Sequence, residues 1–323
     1  MSSNQILDLV FRPWSMHVLF AASRLRIFTM LANESMAADD LAERIGADNR
    51  LLRALLDACV AMELLRREGD GYRNSHLSDA HLVEGRPLYL GDLIEVQALE
   101  GAGWQELSDA VSKAADVEKE TAQHEIEPRR FTLAMNNLAM QGEANALASA
   151  VNLSRCKTLV DVGCGSGLYS VALCLRNPGL TATLLDRPVV LETTEEIVER
   201  HGLRDRMATR PADITKDEYG REQSVVLLSD VLYQDKATCV TILRSAHAAL
   251  TEGGKLIIRG YYSDPGGSES LFGALFVVHL LLSDPSREPI SLGTLRNWLD
   301  EVGFTRMEDF ALSERSTCLT AEK

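Results

Sequence analysis

The sequence predicts an α/β protein in which a Rossmann-like domain with a mostly parallel sheet follows a mainly α-helical winged-helix domain. Three observations support this fold class. Residues 158–173 combine a short apolar run, glycines at alternate positions and the start of a helix. Strand-like and helix-like segments then alternate as far as residue 260, with a turn expected at 251–254 before the last strand, and this alternation is typical of a doubly wound sheet. Before residue 100, helical periodicities are followed by an Asp-Gly turn.

Length and composition indicate a soluble protein of more than one domain, with 323 residues of which 46% are hydrophobic and 25% charged. The net charge of −14 argues against binding to nucleic acid or an anionic membrane through bulk electrostatics. Six scattered cysteines without a C-x-x-C pair are typical of reduced thiols, and residues 1–5 lack the basic region of a signal peptide, so we expect a cytoplasmic protein. The apolar run 272–282 is too short to cross a bilayer, and we expect a buried helix there.

We divide the chain into three parts: a winged-helix domain at 1–100, a helical linker at 101–150 and the Rossmann-like domain at 151–323. Gly46 is expected to close a short helix that begins near residue 39. Asp48 is placed to cap the next helix, which begins one residue later, and the Asp70-Gly71 pair predicts a hairpin after that helix. Residues 114–127 are polar and charged, so we expect an exposed, mobile connection there. A winged helix can bind DNA, but the second helix here mixes arginines with acids, which favours a packing role.

The segment after the first predicted strand of the Rossmann-like domain is rich in glycine. Its glycines stand at alternate positions: Gly163, Gly165 and Gly167. Because they lack Cβ atoms, they can turn the chain tightly and let its backbone approach a ligand. The spacing G-x-G-x-G differs from the G-x-G-x-x-G of dinucleotide-binding loops, and Asp161, two residues before the first glycine, would repel a pyrophosphate. That carboxylate suits a ligand with a positive charge or free hydroxyls.

At this point the chain resembles the class I S-adenosylmethionine-dependent methyltransferases, whose first motif is D/E-x-G-x-G-x-G. In that family the loop holds the methionine part of the cofactor, which carries a cationic amine and a sulfonium. Asp186 ends the next predicted strand, where an acid can accept hydrogen bonds from both ribose hydroxyls. The resemblance implies that Asp213 reaches the adenine amino group, that Ile214 packs on the adenine ring and that Ser229 also belongs to the cofactor site.

The order of the segments also resembles that of the small-molecule O-methyltransferases of the caffeate, acetylserotonin and hydroxyneurosporene type. In these enzymes a winged-helix domain forms the dimer, so the resemblance implies a homodimer that acts on a small-molecule acceptor. Residues 131–140 resemble the family's F-x-x-x-M helix beside the substrate, which makes Phe131 and Met135 pocket candidates, although their spacing fits a core equally well. Trp104 and His279 are further pocket candidates, and the sequence supports no metal site.

The sequence departs from that family where the catalytic base is expected. The family has Leu-His-Asp-Trp after the fourth strand, and its histidine removes the acceptor's proton. This chain has Leu232-Tyr233-Gln234-Asp235, with a Leu-Tyr similar to that of bacteriochlorophyllide C-20 methyltransferase. Near the end of the next strand, Arg259 stands about where the family often has an acid. We therefore predict that Tyr233 and Arg259 orient or activate the acceptor.

Three kinds of chemistry fit this departure. A carbon nucleophile, such as an electron-rich ring or an enol, would need no strong base. An O- or N-methylation could use Arg259 to hold an anion and lower its pKa. A third account is a family member that binds the cofactor but catalyses a pericyclic or hydroxylation step. The alternative from another class of protein is a transcriptional regulator with a winged helix and a ligand-sensing domain.

Overall fold

Two units make up the chain, residues Met1–Glu100 and Gly101–Lys323. The structure is a computed structural model, and it describes residues 3–112, 126–262 and 271–323. The predicted mobile connection at 114–127 lies outside the described residues, except for its last two positions. Each unit has a sheet of its own and a hydrophobic core of its own.

The N-terminal unit consists of short helices and a three-stranded antiparallel sheet. In chain order it contains α1 (Ser3–Arg24), α2 (Ile27–Met30), β1 (Met36–Ala37), α3 (Ala38–Ile45), α4 (Asn49–Ala61), β2 (Leu65–Glu68), β3 (Gly71–Asn74) and α5 (His76–His81). As predicted, Gly46 ends α3 in a left-handed conformation, and the Asp48 side chain caps α4 by accepting from the Leu51 amide at 2.8 Å. The sheet order is β1-β3-β2, in which β2 and β3 form the predicted hairpin.

The core of this unit lies between the helices and the sheet. Leu41 of α3, Leu56 of α4 and Tyr72 of β3 are fully buried there. Helices α3 and α4 followed by the β2–β3 hairpin form the winged-helix arrangement that the sequence predicts. Part of α1 remains in solvent, since Trp14 is 67% exposed and Val10 is 58% exposed.

Helices precede and surround the sheet of the C-terminal unit. The first helices are α6 (Gly91–Gln105), which begins in the N-terminal unit, α7 (Leu107–Ser112), α8 (Pro128–Met140) and α9 (Glu143–Ala150). The βα segments are β4 (Thr158–Val162), α10 (Leu168–Arg176), β5 (Thr181–Asp186), α11 (Pro188–Arg200), β6 (Met207–Pro211), β7 (Gln223–Ser229), α12 (Lys236–Ala249) and β8 (Leu250–Gly260). The remaining elements are α13 (Leu271–Ser283), α14 (Leu292–Val302), β9 (Thr305–Ala311) and β10 (Thr317–Glu322).

Seven strands form this sheet in the order β6-β5-β4-β7-β8-β10-β9. The first five are parallel to one another, and β10 is antiparallel to both of its neighbours, so the predicted Rossmann-like fold with a mostly parallel sheet is confirmed. The strand order reverses between β4 and β7, and ligands of open α/β sheets bind at the carboxyl ends of strands beside such a reversal. The glycine loop follows β4 and Tyr233 follows β7, so the fold places both at that edge.

Two segments differ from their prediction. The turn expected at 251–254 is part of β8, where the register against β7 shifts and Gly253 has φ = 70°. The helix predicted at 272–282 is present as α13, but it is only partly buried, because Leu280 is 2% exposed whereas Leu275 is 46% exposed and Leu281 is 40% exposed. A helix that is apolar on every side can bury only the side that meets its own unit, so its composition alone does not show how much of it is covered.

Candidate active site

The three glycines of the loop after β4 have left-handed backbone conformations, with φ = 71° at Gly163, 52° at Gly165 and 70° at Gly167. A Cβ atom on Gly163 would lie 2.6 Å from Val231 Cγ1, and one on Gly167 would lie 3.1 Å from Leu184 Cδ1. Within the described residues, a Cβ atom on Gly165 would meet nothing within 4 Å. A side chain would therefore clash at Gly163 and be crowded at Gly167, whereas the space beside Gly165 is open to a ligand.

Hydrogen bonds hold the loop against the end of β5. The Gly163 amide donates to the Leu185 carbonyl at 2.8 Å. The Gly165 amide donates to Oδ2 of Asp186 at 2.8 Å, and the Thr194 hydroxyl donates to the Gly165 carbonyl at 2.6 Å. The glycine loop and the acid at the end of β5, which the sequence singles out separately, are thus parts of one connected structure.

Asp161, the acid of the glycine motif, is 1% exposed. Its Oδ2 accepts from the Ser170 hydroxyl at 2.6 Å, whereas its Oδ1 has no hydrogen-bond partner among the described residues. Burial raises the pKa of this carboxyl to about 7, against the opposing effect of the Ser170 hydrogen bond. An unsatisfied buried carboxylate oxygen is unfavourable, so a nearby cationic group would be stabilised by it. The residue therefore fits a ligand with a cationic amine.

Three further residues predicted for the cofactor lie along the same edge of the sheet. The Asp186 carboxylate is half-buried and also accepts from the Arg187 amide at 2.8 Å, which leaves lone pairs on its oxygens for further donors. Ile214 lies against the loop, since its Cδ1 would be 3.5 Å from a Cβ atom on Gly163. Ser229 is the last residue of β7 and is half-buried. These positions are compatible with one extended ligand along the strand ends.

Asp213 follows β6 and is exposed. Its Oδ2 accepts from Lys216 Nζ at 2.7 Å, and its Oδ1 accepts from the Thr215 hydroxyl at 2.6 Å. The Lys216 hydrogen bond, followed by those from Thr215, lowers the pKa of Asp213 to about 2, so its carboxylate is ionised at neutral pH. A ligand amino group at this position would have to share oxygens that already have partners.

Tyr233, expected beside the acceptor, is 8% exposed. Its hydroxyl donates to Oδ1 of Asp230 at 2.8 Å and accepts from the Tyr261 amide at 3.1 Å. Burial raises the pKa of this phenol well above its ordinary value, so the hydroxyl is protonated at neutral pH. Because its proton is directed at Asp230, Tyr233 is poorly placed to accept a proton from an acceptor. Its role in orienting the acceptor stays a prediction.

Arg259 is 2% exposed and lies on β8. Its guanidinium donates to the carboxylates of Asp230 and Glu143 and to the Tyr261 hydroxyl, the last at 2.8 Å. The centroid of the Tyr261 ring also lies 4.3 Å from Cζ of the guanidinium. Two carboxylates thus face one guanidinium, and Arg259, Glu143 and Asp230 together carry one net negative charge. This geometry gives little support to the hypothesis that Arg259 holds an anionic acceptor.

Glu143, the first residue of α9, completes this group. Its Oε1 accepts from the hydroxyls of Ser313 and Ser316 at 2.5 and 2.8 Å. Its Oε2 accepts from the Tyr169 hydroxyl at 3.0 Å as well as from Arg259. Burial raises the pKa of Glu143, but Arg259 and the serine hydroxyls lower it by more, so the carboxylate is ionised.

We call the buried group the Arg259 cluster; it contains Arg259, Glu143, Asp230, Tyr169, Tyr261, Ser313 and Ser316. Sequence reasoning missed Glu143 because its partners are distant in the chain, Ser313 being 170 residues away. The one local feature that could have drawn attention to it is that Glu143 is the single charged residue of α9.

Aromatic rings from α6, α13 and the segments after β7 and β8 lie in contact. We call them the aromatic row; they are Trp104, His279, Phe276, Phe272, Tyr261 and Tyr233. Trp104 and His279 are stacked, with ring centroids 6.3 Å apart and planes inclined by 14°. The Phe276 ring lies 4.7 Å from the Tyr261 ring and 5.6 Å from the Tyr233 ring. The structure thus brings three predicted residues, Trp104, His279 and Tyr233, into one aromatic surface.

Phe131 and Met135 lie on α8, which packs against α9, α10 and α11. Phe131 is 44% exposed and Met135 is half-buried, so their contact with cofactor or acceptor stays a prediction. In the described part of the chain, no three His, Cys, Asp or Glu side chains are placed to hold a metal ion. Over the same ranges, no helix combines the length and apolarity that crossing a membrane requires.

Comparison with protein families gives two domain matches. Residues 7–84 match the model of the O-methyltransferase dimerisation domain. Residues 104–290 match the model of the O-methyltransferase domain, which covers more than half of the chain.

Individual relatives align over most of the chain. A 3-hydroxy-5-methyl-1-naphthoate 3-O-methyltransferase of Streptomyces sahachiroi is 29% identical over 92% of this chain and 88% of its own length. An N,N-dimethyltransferase of Streptomyces rimosus is 27% identical over 76% of this chain and 75% of its own length. The solved structure of human N-acetylserotonin methyltransferase in complex with SAM has the same fold, with a TM-score of 0.86 and 22% identity over 100% of this chain and 99% of that one.

Proposed function

This chain belongs to the O-methyltransferase family, and we propose that it transfers the methyl group of S-adenosylmethionine to a small aromatic molecule. The observation that carries the proposal is that the glycine loop and the aromatic row meet at one edge of the sheet. Val231 connects them, because its Cγ1 lies against Gly163 and Tyr233 follows two residues later. A cofactor on the loop and an acceptor on the aromatic row would therefore be neighbours.

The cofactor would lie along the ends of β4, β5 and β6. The open space beside Gly165 would accommodate its methionine part, and the unpartnered oxygen of Asp161 would face its cationic amine. The free lone pairs of Asp186 would accept the ribose hydroxyls, and Ile214 would pack on the adenine. S-adenosylmethionine supplies an electrophilic methyl group on a sulfonium sulfur.

The aromatic row supports a flat, aromatic acceptor. Ring pairs contribute about 0.5–1.5 kcal/mol each beyond the area that they bury, so several rings can orient a planar molecule. The Streptomyces sahachiroi relative is named for a naphthoate, which is such a molecule. The row therefore favours an aromatic acceptor over an aliphatic one, and it leaves open whether carbon, oxygen or nitrogen is methylated.

We infer that the chain activates the acceptor by positioning it. Tyr233 holds its own proton towards Asp230, so an electron-rich carbon, an aromatic amine or an acidic phenol suits this site better than a weakly acidic hydroxyl. His279, stacked on Trp104, is the imidazole of the row and would serve where a proton has to be removed. The contribution of Arg259 is to fix Asp230, and through it Tyr233, beside the acceptor.

Calorimetric titration with S-adenosylmethionine and S-adenosylhomocysteine tests the cofactor site. We expect both ligands to bind the wild-type protein in the micromolar range and Asp186→Asn to weaken both by at least about tenfold, since it removes a charged acceptor for the ribose. The exposed Asp205→Asn is the charge-matched control and should bind normally. Failure of the wild-type protein to bind either ligand would overturn the proposal.

Mass spectrometry with deuterated-methyl S-adenosylmethionine tests the transfer itself. The acceptors are matched aromatic pairs such as 3-hydroxy-2-naphthoate and 3-amino-2-naphthoate, with an aliphatic hydroxy acid as the control. Label in an aromatic product would support the proposal. If His279→Asn abolishes labelling of the hydroxynaphthoate but not of the aminonaphthoate, His279 is the residue that accepts the phenol's proton. Cofactor binding without label in any aromatic compound would favour the non-methylating chemistry described above.

We also propose a cytoplasmic homodimer. The match to a dimerisation domain and the exposed apolar residues of α1, including Trp14 and Val10, support the dimer. The six cysteines are free thiols, which fits a reducing compartment. We propose neither a nucleic-acid nor a membrane partner, because the net charge is −14.

A further inference from the structure

A cavity of about 720 Å³, open to solvent and lined mostly by exposed residues, lies in the N-terminal unit, among residues that the methyl-transfer site does not use. Its walls come from the β2–β3 hairpin, from α5 and from the segment that follows α5. The lining residues are Arg66, Arg67, Glu68, Arg73, His76, Asp79, Ala80, Arg86, Pro87 and Leu88. We call it the arginine cavity, because four arginines and one histidine face two acids there. This is a positive site on a chain whose net charge is −14.

The hairpin places two of these arginines directly opposite each other. Arg66 of β2 and Arg73 of β3 are cross-strand partners in the antiparallel register. Side chains at opposed positions share one face with Cβ atoms about 5 Å apart, so like charges there repel and destabilise the hairpin. Glu68 offsets part of this, because Arg73 donates to it at 3.2 Å. An anion in the cavity would relieve the remaining repulsion.

The arginines of the cavity differ in how they are paired. Arg67 is paired with Asp57, and its guanidinium lies 4.7 Å from the centroid of the Tyr72 ring, so its charge is already compensated. Arg66 donates to the Asn74 carbonyl at 3.5 Å, which compensates little charge. Within residues 3–112, 126–262 and 271–323, neither Arg66 nor Arg86 forms an ion pair. Two guanidiniums are therefore available to a ligand.

We propose that the arginine cavity binds the phosphate group of a small organic phosphate. Arg66 and Arg86 would form charge-assisted, bidentate hydrogen bonds to phosphate oxygens, which the planar guanidinium suits. The apolar lining from Ala80, Pro87 and Leu88 would contact the organic part, and the volume suits a ligand of nucleotide size. A concave site on an acidic protein favours a small molecule over the extended backbone of nucleic acid. This site is independent of the proposed methyl transfer.

Calorimetric titration of the full-length protein with inorganic pyrophosphate and with ADP tests this site. We expect a dissociation constant on the order of 0.1 mM for at least one of them in 50 mM salt. The double variant Arg66→Gln/Arg86→Gln should weaken binding by at least about tenfold, because it removes both unpaired guanidiniums. The double variant Arg24→Gln/Arg50→Gln removes the same charge from the same unit outside the cavity, and it should bind as the wild type does.

The outcomes separate this site from its alternatives. Binding that is lost in the cavity variant alone, with S-adenosylmethionine affinity unchanged and the melting temperature not lowered, would support the proposal. Equal weakening in both double variants would show bulk electrostatics and overturn it, as would the absence of heat with both ligands. Tighter binding of a 20-base-pair DNA duplex than of either phosphate, lost in the same cavity variant, would instead assign the face to nucleic acid and overturn the small-molecule site.

Discussion

The substitution Arg259→Met tests whether the Arg259 cluster stabilises the C-terminal unit. Methionine keeps much of the length of the side chain and removes its charge and its donors. Glu143, whose side chain is 13% exposed, and Asp230, whose side chain is 33% exposed, would both lose their guanidinium partner. Removing one partner of a buried ion pair destabilises by about 3–5 kcal/mol, since the other charge stays in a poorly solvated place.

We expect a loss near the lower end of that range, about 3 kcal/mol. Glu143 would keep three hydrogen-bond donors, from Ser313, Ser316 and Tyr169, and Asp230 can be solvated by water. For a unit of about 220 residues, 1 kcal/mol corresponds to about 2–4 °C in melting temperature. The substitution should therefore lower the melting temperature of this unit by about 6–12 °C.

Differential scanning calorimetry of the full-length protein measures this shift. Arg244→Met is the matched control, because Arg244 pairs with Glu301 on the surface and its side chain is 63% exposed. Exposed pairs contribute about 0–1 kcal/mol, so the control should shift by no more than about 4 °C. Adding Glu143→Gln to Arg259→Met removes the uncompensated charge and should recover part of the loss. A shift for Arg259→Met no larger than that of the control would refute the reasoning.

Three further predictions concern the glycine motif and the dimer. Asp161 has a pKa of about 7 in the folded chain, above the value of about 3.9 expected in the unfolded chain. Between these pH values the folded chain holds a proton that the unfolded chain releases, so the free energy of unfolding falls as the pH rises. Asp161→Asn should abolish that fall, which amounts to at most about 4 kcal/mol, and it should also weaken cofactor binding. Equal melting temperatures of the wild-type protein at pH 5 and pH 8 would contradict the predicted pH dependence. Gly163→Ala should destabilise more than Gly165→Ala in the same assay, because both strain a left-handed backbone but only the first meets Val231 at 2.6 Å. Trp14→Asp should convert the proposed dimer into a monomer in light scattering, and an unchanged mass would argue against a dimer through α1.

Patterns that depend on near neighbours in the chain were predicted well. The helix cap at Asp48, the glycine at the end of α3 and the hairpin at Asp70-Gly71 all appear as expected. Each rests on geometry within a few residues, such as a side-chain acceptor beside a free amide or a residue that tolerates positive φ. The glycine loop belongs to the same class, because its spacing and its strand-turn-helix setting are local.

Other properties depended on which distant segments meet. The sequence alone determined the fold class, the glycine loop and the acid at the end of β5, because these depend on the periodicity and spacing of residues along the chain. Only the tertiary structure decided that Arg259 is neutralised by Glu143 and Asp230, that the Tyr233 hydroxyl donates its hydrogen bond to Asp230 and that α13 is partly exposed. The reason is physical: a side chain's charge state, partners and burial are set by neighbours that the sheet order brings together, and residues 143, 230 and 259 become neighbours only when β7 and β8 pair and α9 packs beside them.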